Sequence, residues 1–186
     1  MPGRVLAMAH WRRLDGEGTD RCTLARAEHG WLLSGQAHWR EEGAEANLLY
    51  TVRCDPDWAT LTADITGERA GAPVALRIQS GPEGWEMNGV AQPEVAGCTD
   101  IDLSFTPATN LLPLRRLAPE GDGPVPVRAA WLVPGLDRLA LLEQSYAPQK
   151  DGTIAYASAN FEARLQVHPS GFVTRYPGVW EGWVDG

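Results

Sequence analysis

Lysine is almost missing from this chain: Lys150 stands alone against fifteen arginines. Positive charge as a whole is short, with 16 basic against 24 acidic side chains, a formal net charge of -8 and an isoelectric point near 5.0. A chain so balanced lacks the basic face that neutralises phosphates, which excludes nucleic acid as a partner. Cysteine is scarce as well. Cys22, Cys54 and Cys98 are odd in number and show no Cys-x-x-Cys spacing, so no disulfide scaffold is expected. They read as buried thiols in a reducing compartment. The four histidines, His10, His29, His38 and His168, have no metal-ligand spacing, and nothing calls for a metal or a cofactor. No apolar run approaches the ~18 residues of a membrane-spanning helix. The run from Val5 to Ala9 is too short for the core of a secretion signal. Together these absences predict a cytoplasmic protein.

What is present is tryptophan, eight of them, in 186 residues that are 44% apolar and 22% charged. That length supports one domain with a real core, 1–186. Ala118–Pro126, APEGDGPVP, is the most linker-like stretch, but the segments on either side are alike in style. Period-two alternation dominates them. Trp31, Leu33, Gly35, Ala37 and Trp39 share one parity, as do Leu48, Tyr50, Val52 and Cys54, and later Val125, Val127, Ala129 and Trp131. Such alternation marks antiparallel strands with one buried face. Turn signals such as Glu41-Glu42-Gly43, Asp55-Pro56-Asp57 and Pro169-Ser170-Gly171 punctuate the runs. The predicted class is all-β, mainly antiparallel: a many-stranded roll or barrel-like domain. Residues 136–146 fit neither period cleanly and lean towards strand. One short helix is expected after Thr106, with Pro107 in its first position and Pro113 ending it within two turns. Residues 46–58 and 159–172 echo each other as strand, polar-proline turn and aromatic, either a duplicated unit or the general likeness of hairpins.

The densest stretch is GCTDIDLSFTPATNLLPLRRL, from Gly97 to Leu117. Alternation sets Asp100, Asp102 and Ser104 on one face of a strand. Two carboxylates at i and i+2 lie about 6.6 Å apart at Cα, so their oxygens could reach the roughly 5–9 Å spacing of glycosidase acid/base pairs. A hydrolase acting on a sugar or ester is therefore one reading. If the chain doubles back, Arg115 or Arg116 can meet Asp100 or Asp102, with Asn110 adding an amide. That network either pins the helix to the sheet or orients a ligand's polar group. Gln144 and Tyr146 share a strand parity that could face a cavity. His168-Pro169-Ser170 is a turn, and no catalytic triad can be read.

These same residues carry a resemblance. Gly97-Cys98-Thr99-Asp100-Ile101-Asp102-Leu103, then Thr106-Pro107-Ala108-Thr109-Asn110, then Leu112-Pro113-Leu114-Arg115-Arg116-Leu117, resemble the signature of a bacterial family of glycolipid-binding proteins known as a domain of unknown function. Trp11-Arg12-Arg13-Leu14, the stretch from Tyr50 to Trp58, Gln144-x-Tyr146, Gly171-Phe172-Val173 and Tyr176-Pro177-Gly178 extend the likeness over nearly the full length. The resemblance implies a β-roll around an apolar cavity, similar in shape to bacterial lipoprotein carriers of lipids. Unlike those carriers, this sequence shows neither a secretion signal nor a lipid-attachment cysteine. The expected function is a non-enzymatic binding or carrier protein for a small amphipathic, glycolipid-like ligand. Asp100, Asp102, Asn110, Arg115 and Arg116 would meet its head group, and Tyr146 and Tyr176 would stand on the cavity wall.

Overall fold

The alternating segments become strands almost throughout. The computed structural model describes residues 3–118, 121 and 123–185. Its fifteen strands form one sheet. A first antiparallel meander comprises β1 (Val5–Arg13), β2 (Glu17–Ala27), β3 (Gly30–Glu41), β4 (Ala44–Cys54), β5 (Thr60–Arg69), β6 (Ala72–Gly81), β7 (Gly84–Met87) and β8 (Val90–Ala91). Beyond a 3-10 turn at Pro93–Val95 the chain enters β9 (Asp100–Leu103), the opposite edge of the sheet. A second meander follows: β10 (Val125–Leu132), β11 (Leu139–Pro148), β12 (Ile154–Ser158), β13 (Phe161–Val167), β14 (Val173–Tyr176) and β15 (Trp180–Val184). Pairing of β1 with β15 joins the two meanders, and β9 with β10 is the one parallel pair.

Turn chemistry explains the tight hairpins. Glu42-Gly43, Ala70-Gly71 and Asn88-Gly89 all have positive φ at both positions, the two-residue turn whose twist matches that of the flanking strands. Gly35 serves packing instead. It faces Tyr50 across β3 and β4, and a Cβ there would sit 2.2 Å from the phenol ring. The missing side chain is what lets Tyr50 lie flat over the neighbouring strand.

The sheet curls but does not close. Its order ends at β8 on one side and β9 on the other. The start of β9 is tied back to β5 by two bonds: Thr60 N donates to Thr99 O at 3.1 Å, and Ile101 N donates to Thr60 Oγ1 at 3.0 Å. The expected all-β, mostly antiparallel domain is present, as an open roll rather than a closed wall. Residues 136–146 contribute to β11, as their lean towards strand anticipated. In the linker-like stretch, Pro119, Glu120 and Asp122 lie outside the described residues.

The helix differs from expectation at both prolines: Pro107, expected in its first position, caps a 3-10 turn ahead of it, and Pro113 does not end it. Thr106 Oγ1 accepts Ala108 N at 3.0 Å, and a 3-10 turn, Ala108–Asn110, leads into α1 (Leu111–Leu117). Pro113 was expected to end the helix but stands in its first turn. The physical reason is that the first amides of a helix have no partner within it, so proline gives up nothing there. Leu111, Leu112 and Leu114 bury the helix against the sheet. Arg115 and Arg116 fall in its last turn, where the dipole favours cations.

Candidate functional site

Beside the Thr106–Asn110 turn the roll opens into a cleft of about 490 Å³. Its walls come from β9, this turn, the β12–β13 hairpin and the β14–β15 corner. The cleft is open to solvent, whereas the interior of the roll is occupied by buried side chains. Trp11, Tyr50 and Phe172, among others, fill a large cluster, and Tyr146, Tyr156 and Leu165 belong to a smaller one.

Aromatic rings make one wall. Tyr156 packs against Tyr146 edge-on at 5.3 Å and lies 5.7 Å from Tyr176, which in turn lies 5.6 Å from Phe161. Trp131 and Trp180 complete the aromatic lining. Alternation along β11 and β12 delivers the tyrosines: Tyr146 and Tyr156 are directly paired across the ladder. The polar side is a chain of four groups. Gln144 Nε2 donates to Asp102 Oδ2 at 2.6 Å, Tyr146 Oη donates to Gln144 Oε1 at 3.3 Å, and Asn110 Nδ2 donates to Tyr146 Oη at 3.0 Å. Burial pushes the Asp102 carboxyl up to about 6; the Gln144 bond pulls it back and the charge of Asp100 adds to the rise. Burial likewise raises the phenols of Tyr146, Tyr156 and Tyr176, so all three are neutral donors.

The seven residues expected at a ligand separate into three groups. Asp102, Asn110 and Tyr176 line the cleft. Tyr146 is fully buried beneath it and reaches it through Asn110. Asp100, Arg116 and Arg115 are not among the lining residues. Asp100 is buried and gripped by Arg116 through both oxygens, Nε to Oδ1 at 3.2 Å and Nη2 to Oδ2 at 2.6 Å. Burial pushes Asp100 up while the guanidinium beside it pulls it back. Arg115 points elsewhere: it donates to Pro169 O and Ser170 O and lies 5.8 Å over the Trp58 ring.

Sequence reasoning did not single out Tyr156, Phe161, Asn160 or the position of Trp131 and Trp180 on the cleft. Their strands alternate like any others, and only topology brings them together. It also missed Asp20, a carboxylate 3% exposed in the core. Tyr50 Oη donates to it at 3.0 Å and the Thr106 hydroxyl bonds it from the cleft side. Burial pushes Asp20 up to about 7 against the pull of these two bonds. A signal was available: Asp20 shares the parity of Cys22 and Leu24, both buried, so alternation alone marks it as an acid on an apolar face. Among the described residues there is no metal-ligand cluster, and no helix is long and apolar enough to cross a membrane.

Fold and cleft together define an all-β open roll with a solvent-open, aromatic-lined cleft. The family described as "Putative glycolipid-binding" matches residues 8–182, and the chain belongs to that family. The structure is similar to the crystal structure of a DUF1089 family protein from Pseudomonas aeruginosa, with a TM-score of 0.75 and 27% identity over 87% of this chain and 91% of that one. No curated protein matches the chain.

Proposed function

We propose that this chain is a non-enzymatic binding or carrier protein for a glycolipid-like amphiphile whose polar head lies in the cleft. One observation carries the reading: a hydrogen-bonded chain of Asp102, Gln144, Tyr146 and Asn110 reaches the cleft at Asp102 and Asn110, where the lining is otherwise rich in aromatic rings. Few convergent polar groups set in an otherwise apolar concavity are what orients a small ligand. Rings such as those of Tyr176 and Trp180 offer flat apolar faces to a sugar or to methylenes. Each methylene laid against Leu103, Val179 or Phe161 would add roughly 0.8 kcal/mol. The reading assigns the head group to Asp102 and Asn110, with Tyr176 on the wall and Tyr146 behind Asn110. Asp100, Arg115 and Arg116 take structural roles. The binding reading is favoured over a two-carboxylate hydrolase because both oxygens of Asp100 already engage Arg116. Three unpaired buried thiols fit a cytoplasmic setting.

Native mass spectrometry with lipid extraction tests the reading. A co-purified amphiphile, or a rise in melting temperature with members of a glycolipid panel, is the expected result. Absence of both would overturn it.

A further inference from the structure

The cleft's lining contains no lysine, arginine or histidine, and Asp102 is its one carboxylate. Three guanidinium groups in contact with its surroundings are committed elsewhere. Arg116 is bound to Asp100, Arg115 to the carbonyls of the 169–170 turn, and Arg13, which lies over the Trp180 ring, to Asp15 at 3.0 Å. A phosphate, sulfate or carboxylate entering the cleft would therefore lose water without gaining a cation, and would meet Asp102 besides. Asp102 Oδ2 is taken by Gln144 and Asn110 Nδ2 by Tyr146. Asp102 Oδ1 and Asn110 Oδ1 have no partner among the described residues, and the lining also presents the Ser104 hydroxyl and the Asn160 amide. These atoms include both acceptors and donors. A sugar hydroxyl gives and takes a hydrogen bond at once and so matches a mixed set. An ammonium only gives, so it would use the two free oxygens and gain nothing from the Ser104 and Asn160 donors, where a hydroxylated ring uses both.

Building on the proposed function, we infer that the cleft selects an uncharged polyhydroxylated ring and rejects anionic head groups, with Asp102 the residue that sets this preference. Gln144 positions Asp102 from behind, leaving its second oxygen for a ligand hydroxyl. Glycolipids with neutral sugars are then ligands, and phospholipids and fatty acids are not.

Calorimetric titration with octyl glucoside, octyl phosphate and octylammonium, each below its micelle concentration, tests this. The glucoside is expected to bind at least tenfold tighter than either ion. Asp102→Asn should weaken the glucoside several-fold and narrow its margin over the phosphate. Asn160 is exposed at the rim, so Asn160→Lys should fold normally, and it should tighten octyl phosphate at least tenfold by placing a cation in the cleft. Phosphate or ammonium binding the unmodified protein as tightly as glucoside would overturn the selectivity and leave the binding function standing. So would an Asn160→Lys protein with unchanged phosphate affinity. Failure of every amphiphile tried, long-chain glycolipids included, would overturn both.

Discussion

Three buried carboxylates govern how single residues respond to pH. Asp20 moves from about 3.8 to about 7, Asp102 to about 6, and Asp100 in the same direction, in each case chiefly through burial. A raised acid binds its proton more tightly folded than unfolded. Its contribution to stability is therefore whole below pH ~4 and is lost as pH climbs through the folded value. For Asp20 the displacement is worth on the order of 4 kcal/mol. Thermal melts should accordingly show stability declining between pH 4 and 8, and Asp20→Asn should flatten that decline and raise the melting temperature at pH 8. A variant with an unchanged slope would show that Asp20 is not the source. The exposed Glu45 and Asp151, both lowered by their hydrogen-bond partners, act in the opposite sense and only at more acid pH. Arg116 poses the complementary case. Arg116→Ala strands a carboxylate that is 1% exposed, at a cost of about 2–3 kcal/mol at neutral pH once partial exposure of the arginine is discounted. The loss should shrink as pH falls and Asp100, whose carboxyl burial pushes up, takes its proton. A pH-independent loss in urea titrations would mean that packing, not charge, is what Arg116 supplies.

At the scale of elements, the two echoing segments form the same turn. Asp55 N donates to Ala59 O and Trp58 N to Asp55 O; His168 N donates to Phe172 O and Gly171 N to His168 O. Proline follows the first residue in both, and the fourth has positive φ: Trp58 at 70° and Gly171 at 97°. Asp55 Oδ1 and His168 Nδ1 each accept an amide two residues on. Arg115 sits between these turns, with its guanidinium over Trp58 and its donors on the 169–170 carbonyls. A Cβ at Gly171 would lie 2.8 Å from Arg115 Nε, so the glycine also makes room for this clasp. Trp58 stacks in turn on Trp31 at 4.3 Å, and Arg26 covers Trp31. Because Arg115 is exposed, Arg115→Ala should cost only about 1–2 kcal/mol and leave ligand binding per folded molecule unchanged. Weaker binding at unaltered stability would put Arg115 in the site instead.

Across the whole molecule, legibility divides along a physical line. Strand identity was readable because burial on one face imposes period two, and turns were readable because glycine and proline each serve a particular backbone shape, although the Asn88-Gly89 turn went unread. The helix was located from Thr106 and Pro107, but Pro113 was misplaced, since proline is costly inside a helix and free at its start. Asp102, Asn110 and Tyr146 were named from spacing within one or two segments, and Gln144 was noted with Tyr146. What could not be read was which strands meet. Trp131, Tyr156, Phe161 and Trp180 all stand on the second meander and meet around one cleft through the curl of its sheet, while the parallel β9–β10 pair sets Asp102 beside Trp131, and no local pattern encodes that curl or that pairing. The same long-range geometry decided the arginines: Asp100 took Arg116, and Arg115 faced the two turns.

The central claim is that the aromatic cleft, and no other part of the roll, receives the ligand. Indole N–H resonances report on it directly, because two of the eight tryptophans, Trp131 and Trp180, line the cleft. In nitrogen-15 spectra recorded during titration with octyl glucoside, the Trp131 and Trp180 signals should move together and saturate, while those of Trp11, Trp31, Trp58 and Trp85 stay in place. Saturating shifts at Trp31 and Trp58 with Trp131 and Trp180 unmoved would contradict the account.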